Sequence, residues 1–505
     1  MHRLVAYLVA AACVRAGTIQ GVVLEQSSGR PLARTVVRLD QVPQSSGITS
    51  HSLTTRAGRS GQFVFPSVAP GIYLLVAVRD GYFPAAYGQR LPTGRGTPIQ
   101  VTTDSDLFAE LRVRHKGALT GRVLDENGVA RAGVNVLAYR ARLPLRPAGN
   151  ALSDDRGVFR IHGLDPGKYW VRSADHTLDD GSGWLPTFGP QAREIRDARV
   201  YRVTVDADAS DADVSPEPGT LFRLGGRIAC DVVGPVTVTL SSETGRRTTK
   251  TACPVGGYLF EGLAPADYEV FATLQDGAAS GFIELFLGRD NLAATVQVTS
   301  APAVDIEVRR AGSGAVANIP VRLTGRRDDL SETENEHEIK GPRTTLAPGH
   351  WELSAHPPAG QYVESITHLY GAARRRSKVE RDSDRFEVFI ETRNTARIRI
   401  TVSDQACQIA GRAMTDSKPA TAAPVFLWPV AESARRSLSG PLQVLSDTEG
   451  RFRFDSLPPG DYRLLASFDV NEIDEELMEV SNAVVVHAEA SQTATIDLPV
   501  WVAPW

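Results

Sequence analysis

The stretch Ser446–Ala466 reads SDTEGRFRFDSLPPGDYRLLA. An acidic residue and a glycine (Asp447, Gly450) form a turn signature, because a carboxylate caps turn amides and glycine accepts a positive φ. Phe452 and Phe454 then alternate with arginines, so one face of an extended strand is apolar. Pro459 and Gly460 turn the chain, and Tyr462 opens a second alternating strand. These roles in a strand–corner–strand unit explain the motif without any ligand.

Related stretches occur four more times: RSGQFVFPSVAPGIYLLVA from Arg59, SDDRGVFRIHGLDPGKYWVRSA from Ser153, VGGYLFEGLAPADYEVFA from Val255 and GPRTTLAPGHWELSA from Gly341. The aromatic after the corner is Tyr73, Tyr169, Tyr268, Trp351 or Tyr462. A tyrosine there can hydrogen-bond back to the backbone near the corner, as in the tyrosine corner of immunoglobulin-like sandwiches. Trp351 has no hydroxyl, so the fourth copy is expected to use the position for packing alone. Each copy follows a strand–turn–strand element, and Gly21, Gly121, Gly226 and Gly411 mark a bulge or a close backbone approach in four of these. The fourth element, from Val304, lacks the glycine.

These repeats predict an all-β chain, a tandem array of about five immunoglobulin-like or prealbumin-like β-sandwich domains. The expected boundaries are 17–115, 116–218, 219–301, 302–402 (divergent) and 403–505. The acidic run DADASDADVSPEPGT after Asp206 reads as a solvated linker, and no long helix is expected. DVNEIDEELMEV, from Asp469, is the best helical candidate, with a loop as the alternative.

Composition agrees. The chain has 505 residues, too many for one core, and 44 glycines with 31 prolines favour short strands and turns. A net charge of -4 gives no basic face for nucleic acid. Residues 1–16 fit a cleaved signal peptide: a basic start, an apolar run from Leu4 to Val14 and small residues around Ala16. A lipoprotein signal ending at Cys13 is the alternative. No integral membrane span is expected once the signal is removed.

The pattern GxVxDxxGxPxxxxxVxL followed by DxxGxFxFxxLxPGxYxLxA resembles carboxypeptidase regulatory-like domains. It is carried most fully by Gly121–Leu137 with Asp154–Trp170, and by Asp447–Tyr462. The resemblance implies transthyretin-like sandwiches, similar to B-type repeats of bacterial surface proteins and to carbohydrate-binding-like folds. It implies an exported bacterial protein: secreted, periplasmic or at the cell surface.

Functional candidates are few. No zinc constellation, nucleophile elbow or phosphate loop is visible, so no catalytic, metal or cofactor residues are assigned and no enzyme is expected. Cys230 and Cys253 lie on neighbouring expected strands and suit either a disulfide or two buried thiols. The corresponding loops DGYFPAAYG and DGSGWLPTFG hold Tyr82, Phe83 and Tyr87 in one and Trp184 and Phe188 in the other. Such aromatics stack on sugars or peptides, or else close the end of a sandwich. Trp501 and Trp505 could dock on a partner or finish the last strand. The reading is a non-catalytic exported protein for envelope scaffolding, adhesion or protein interaction, with an envelope protein or glycan as partner. The alternatives are a carbohydrate- or peptide-binding protein using the aromatic loops, and the regulatory part of an envelope enzyme.

Overall fold

The alternation in Arg451–Leu457 is obeyed residue by residue in the computed structural model: Phe452 and Phe454 are buried while Arg451 and Arg453 face solvent. The two phenyl rings pack edge-on, 6.1 Å apart. The structure describes residues 16–42, 51–92, 94–141, 145, 147–178, 182–230, 233–275, 279–327, 336–368, 384–391 and 395–504. Most of the expected signal segment, Cys13 and Trp505 lie outside these.

In the fifth sandwich the strand Arg451–Leu457 pairs antiparallel with the opening strand Cys407–Thr415. The opening strand in turn pairs parallel with the closing segments Thr493–Thr495 and Leu498–Pro499. Parallel partners need a crossover, which the second sheet supplies. That sheet runs Leu442–Leu445, Pro424–Pro429, Gly460–Ala466, Val484–Ala488. Between the sheets lies a core that includes Ile409, Phe452, Phe454, Tyr462 and Leu464.

The same plan recurs. Opening strands Gly17–Glu25, Gly117–Arg122, Phe222–Cys230 and Ala303–Arg310 pair parallel with closing strands Asp106–Val113, Asp208–Ala209, Val296–Ser300 and Ala396–Ser403. The strand after each corner pairs antiparallel on both sides; it lies in the sheet opposite the opening strand in the first, second, fourth and fifth sandwiches, whereas in the third both strands belong to one continuous path. Each sandwich has its own apolar cluster. The chain is thus all-β, a tandem array of five sandwiches, and among the described residues 58% are strand and 4% helix.

The recurrent glycine of the opening strand marks a close approach. A Cβ on Gly21, Gly226 or Gly411 would sit 1.9, 1.7 or 1.6 Å from a carbonyl oxygen of the closing strand or its approach, and one on Gly121 would sit 2.4 Å from Ala212. The ladder irregularities in these strands fall elsewhere, such as between Cys407 and Ile409.

One expectation is corrected. The acidic run after Asp206 is not a free linker. Asp208–Ala209 and Val214 pair parallel with the second opening strand, and Ala212 and Val214 are fully buried. Its small apolar residues fill the core while aspartates such as Asp213 bind edge amides (Arg122 N to Asp213 Oδ1, 2.8 Å). DVNEIDEELMEV does contain a helix, Glu475–Val480, begun by the Asp474 carboxylate accepting from Leu477 N at 2.8 Å. A second short helix, Glu432–Leu438, carried no clear sequence signal. No helix among the described residues is long and apolar enough to cross a membrane.

Candidate functional site

The motif residues can be followed to what they bind. Asp154 Oδ1 accepts from the amides of Arg156 and Val158 at 2.9 and 2.8 Å, closing a turn whose Gly157 has φ +71°. Asp125 and Asp447 do the same two residues and four residues on. The Val158 amide and the Arg156 guanidinium hold the Asp154 carboxyl below its ordinary range. For Asp125 the Val129 amide leads, and the Arg131 guanidinium adds to it.

The corner aromatics share one geometry. Tyr73, Tyr169 and Tyr268 donate their hydroxyls to Ala69 O, Asp165 O and Ala264 O at 2.9, 2.8 and 2.9 Å. Tyr462 donates to Pro458 O. Trp351 corrects the expectation of packing alone, because its indole N–H donates to Ala347 O at 2.8 Å. In all five the acceptor lies four residues upstream, so the indole nitrogen replaces the phenol oxygen.

Cys230 and Cys253 are joined, with Cα atoms 5.9 Å apart. In the third sandwich seven strands form one continuous path, with Gly245–Cys253 at one end and Phe222–Cys230 next to the other end. The bridge therefore ties the ends of that path together. Cys407 is a buried free thiol whose pKa is pushed up by burial.

Of the two readings of the aromatic loops, the burial of three of the five rings supports packing rather than stacking on a ligand. Trp184, Phe188 and Phe83 are 2%, 3% and 5% exposed. Trp184 is part of the second core, against His176 (ring centroids 5.7 Å) and under the Arg131 guanidinium. Phe188 is capped by Arg172 at 4.8 Å, and Lys116 lies 5.6 Å from the Phe83 ring. Tyr82 and Tyr87 are half-buried against the first core. The apolar area that would have stacked on a ligand closes the ends of the sandwiches instead.

Tyr82 contributes to a polar cluster where the first sandwich meets the second. Its hydroxyl donates to Glu25 Oε1 at 3.1 Å, His115 Nε2 lies 2.7 Å from the same oxygen, and the Tyr82 and His115 rings are 4.0 Å apart. The Ser28 hydroxyl, then His115, hold the Glu25 carboxyl below its usual range. Here one carboxylate binds both the tyrosine hydroxyl and the histidine ring. Beside it lies an open recess of about 150 Å³, lined by Phe83, Gln89, Arg90, Glu110, Arg112 and Arg114 among others. Among the described residues no three His, Cys, Asp or Glu side chains group to hold a metal. Trp501 packs on the outside of the fifth sandwich beside Met478 and Val470.

No curated protein sequence matches the chain. Among solved structures, the minor pilin of Streptococcus agalactiae is 16% identical, covering 41% of this chain and 98% of that one, with a TM-score of 0.25. The major pilin of Bacillus cereus is 8% identical over 76% of this chain and 99% of that one, at 0.15. The open form of a pilus adhesin from Lactobacillus rhamnosus GG is 11% identical over 75% and 56%, at 0.16. Scores this low carry no argument about assembly or role. The family comparison is local: residues 18–104, the first sandwich from its opening strand to just before its closing strand, match the model of the carboxypeptidase regulatory-like domain.

Proposed function

We propose that the chain is a non-catalytic, exported bacterial protein that scaffolds or adheres at the cell envelope through an envelope protein or glycan, using five sandwich domains with boundaries near 17–115, 116–218, 219–301, 302–402 and 403–505. One observation carries the reading: the polar groups of the recurring motif are already engaged within the fold. The turn aspartates bind their own amides and the corner aromatics bind carbonyls four residues back. What remains for function is the outer surface of the array. The pairing of Cys230 with Cys253 supports an oxidising compartment and hence export.

The test is retention of the purified chain on envelope material, with parallel assays for hydrolysis of peptide and glycan substrates. Saturable retention without turnover is expected. Turnover that survives further purification would overturn the reading, and so would absence of retention on any envelope fraction.

A further inference from the structure

The first and last sandwiches touch. In the strand Gly71–Val78, Tyr73, Leu75 and Ala77 enter the first core, while Ile72 and Leu74 lie on the other face of the sheet. An exposed isoleucine would be ordinary there, yet Ile72 is only 9% exposed. It is covered by Ala422 and Leu445 of the fifth sandwich, in a small apolar cluster completed by Val42 and Leu74.

A polar edge continues this contact. Arg90 Nη1 lies 3.4 Å from Asp469 Oδ2, between residues 379 apart in sequence. Asp469 is 5% exposed, and the same oxygen accepts from Ala503 N at 3.1 Å. A carboxylate this buried needs such partners. The Arg95 amide donates to Phe468 O at 2.9 Å, and Arg95 Nε donates to Asn471 Oδ1 at 3.2 Å.

The segment 467–482 that supplies these groups lies outside the sandwich plan. It is held on the fifth sandwich by its own small core, in which Val470 and Met478 meet Phe426 and Leu465. Its helix also reaches the second sandwich, through Glu476 and Lys168 at 3.8 Å. The other short helix of the same sandwich faces the fourth: Ser437 donates to Val363 O and Arg435 lies 3.5 Å from Asp384.

We infer that segment 467–482, with the face carrying Ala422 and Leu445, is a clasp that closes the array by docking the first sandwich onto the last. The fifth sandwich is then the keystone, in contact with the first, second and fourth. The clasp joins a small apolar patch to a polar edge, and an interface of that kind opens reversibly. The chain is thereby a closed unit that can open, rather than a permanently extended stalk. This inference does not depend on the envelope reading.

Intramolecular cross-linking of the full chain tests it. Cysteines replace Arg95 and Asn471, whose side chains touch, in a Cys13→Ser background, and a short bis-maleimide is added at high dilution. A dominant intramolecular product is expected, and Ile72→Arg should lower its yield about tenfold by forcing a charge into the apolar contact. Ile72 lies outside the first core, so the melting of that sandwich should not change. Should Ile72→Arg fail to fold, Arg90→Glu, which sets two carboxylates face to face, decides instead. No intramolecular product, or a yield unmoved by the folded variants, overturns the clasp.

Discussion

Replacing Gly411 with alanine places a methyl group where the closing strand already lies. The added Cβ would sit 1.6 Å from Ile496 O and 2.6 Å from the carbonyl carbon. A carbon–oxygen contact needs about 3.3 Å, so the strands must part by about 1.7 Å. The hydrogen bond from Ile496 N to Ala410 O, 3.0 Å, and the one from Arg412 N to Asp497 Oδ1, also 3.0 Å, cannot both survive such a shift. Two lost hydrogen bonds at about 1 kcal/mol each, plus about 1–2 kcal/mol for loosened packing at Ile409 and Leu498, give roughly 3–4 kcal/mol. That is a large share of the stability of one domain. Hydrogen exchange read on peptides covering 407–415 and 493–499 reports the loss in this sandwich without averaging over the other four. The equivalent changes at Gly226 and Gly21 should follow closely, and Gly121→Ala, with 2.4 Å to its nearest atom, should be mildest. A Gly411→Ala loss below about 1 kcal/mol would refute the close-approach argument.

Three further outcomes are expected. Cys253→Ser should destabilise the third sandwich by about 3 kcal/mol, from the loop of 23 residues that the bridge closes, measured by denaturant unfolding under oxidising and reducing conditions. Trp184→Ala should cost about 3–5 kcal/mol in the second sandwich, since the indole is core, and at temperatures where the variant stays folded its retention on envelope material should match the parent chain. Asp125 and Asp154 have lowered pKa values in the folded state, so their stabilisation is complete above the ordinary carboxyl range and lost as pH falls through the folded values. Melting of the second sandwich should therefore fall on acidification below about pH 4, less steeply in Asp154→Asn.

The sandwiches were legible because their signals are local. Phe452 and Phe454 alternate over three residues, and Asp447 caps amides two and four residues away, so a short window contains cause and effect. Trp351 was misjudged because the corner needs only a donor at the right reach, and an indole nitrogen serves as well as a phenol oxygen. The run after Asp206 looked solvated because its aspartates dominate the composition, while the buried Ala212 and Val214 are small. Trp184 and Phe188 left ligand surface and core cover both open, because a loop aromatic reads alike whether it faces solvent or folds back over a core. The contact of Ile72 with Ala422 joins residues hundreds of positions apart, and nothing local to either announces it.

The central claim is that the recurring motif is spent on the fold, including in the divergent fourth unit. Its most direct test is peptide-resolved hydrogen exchange on the intact chain carrying Trp351→Phe or Tyr462→Phe. Tyr462→Phe removes the hydroxyl and leaves Pro458 O only the weak Cys407 thiol donor at 3.3 Å, while Trp351→Phe removes the N–H bonded to Ala347 O together with part of the ring. At about 1–3 kcal/mol each, these losses should raise exchange roughly tenfold to a hundredfold in the altered sandwich and leave it constant in sandwiches that do not touch it. Unchanged exchange in both variants, with retention on envelope material lost instead, would contradict the account.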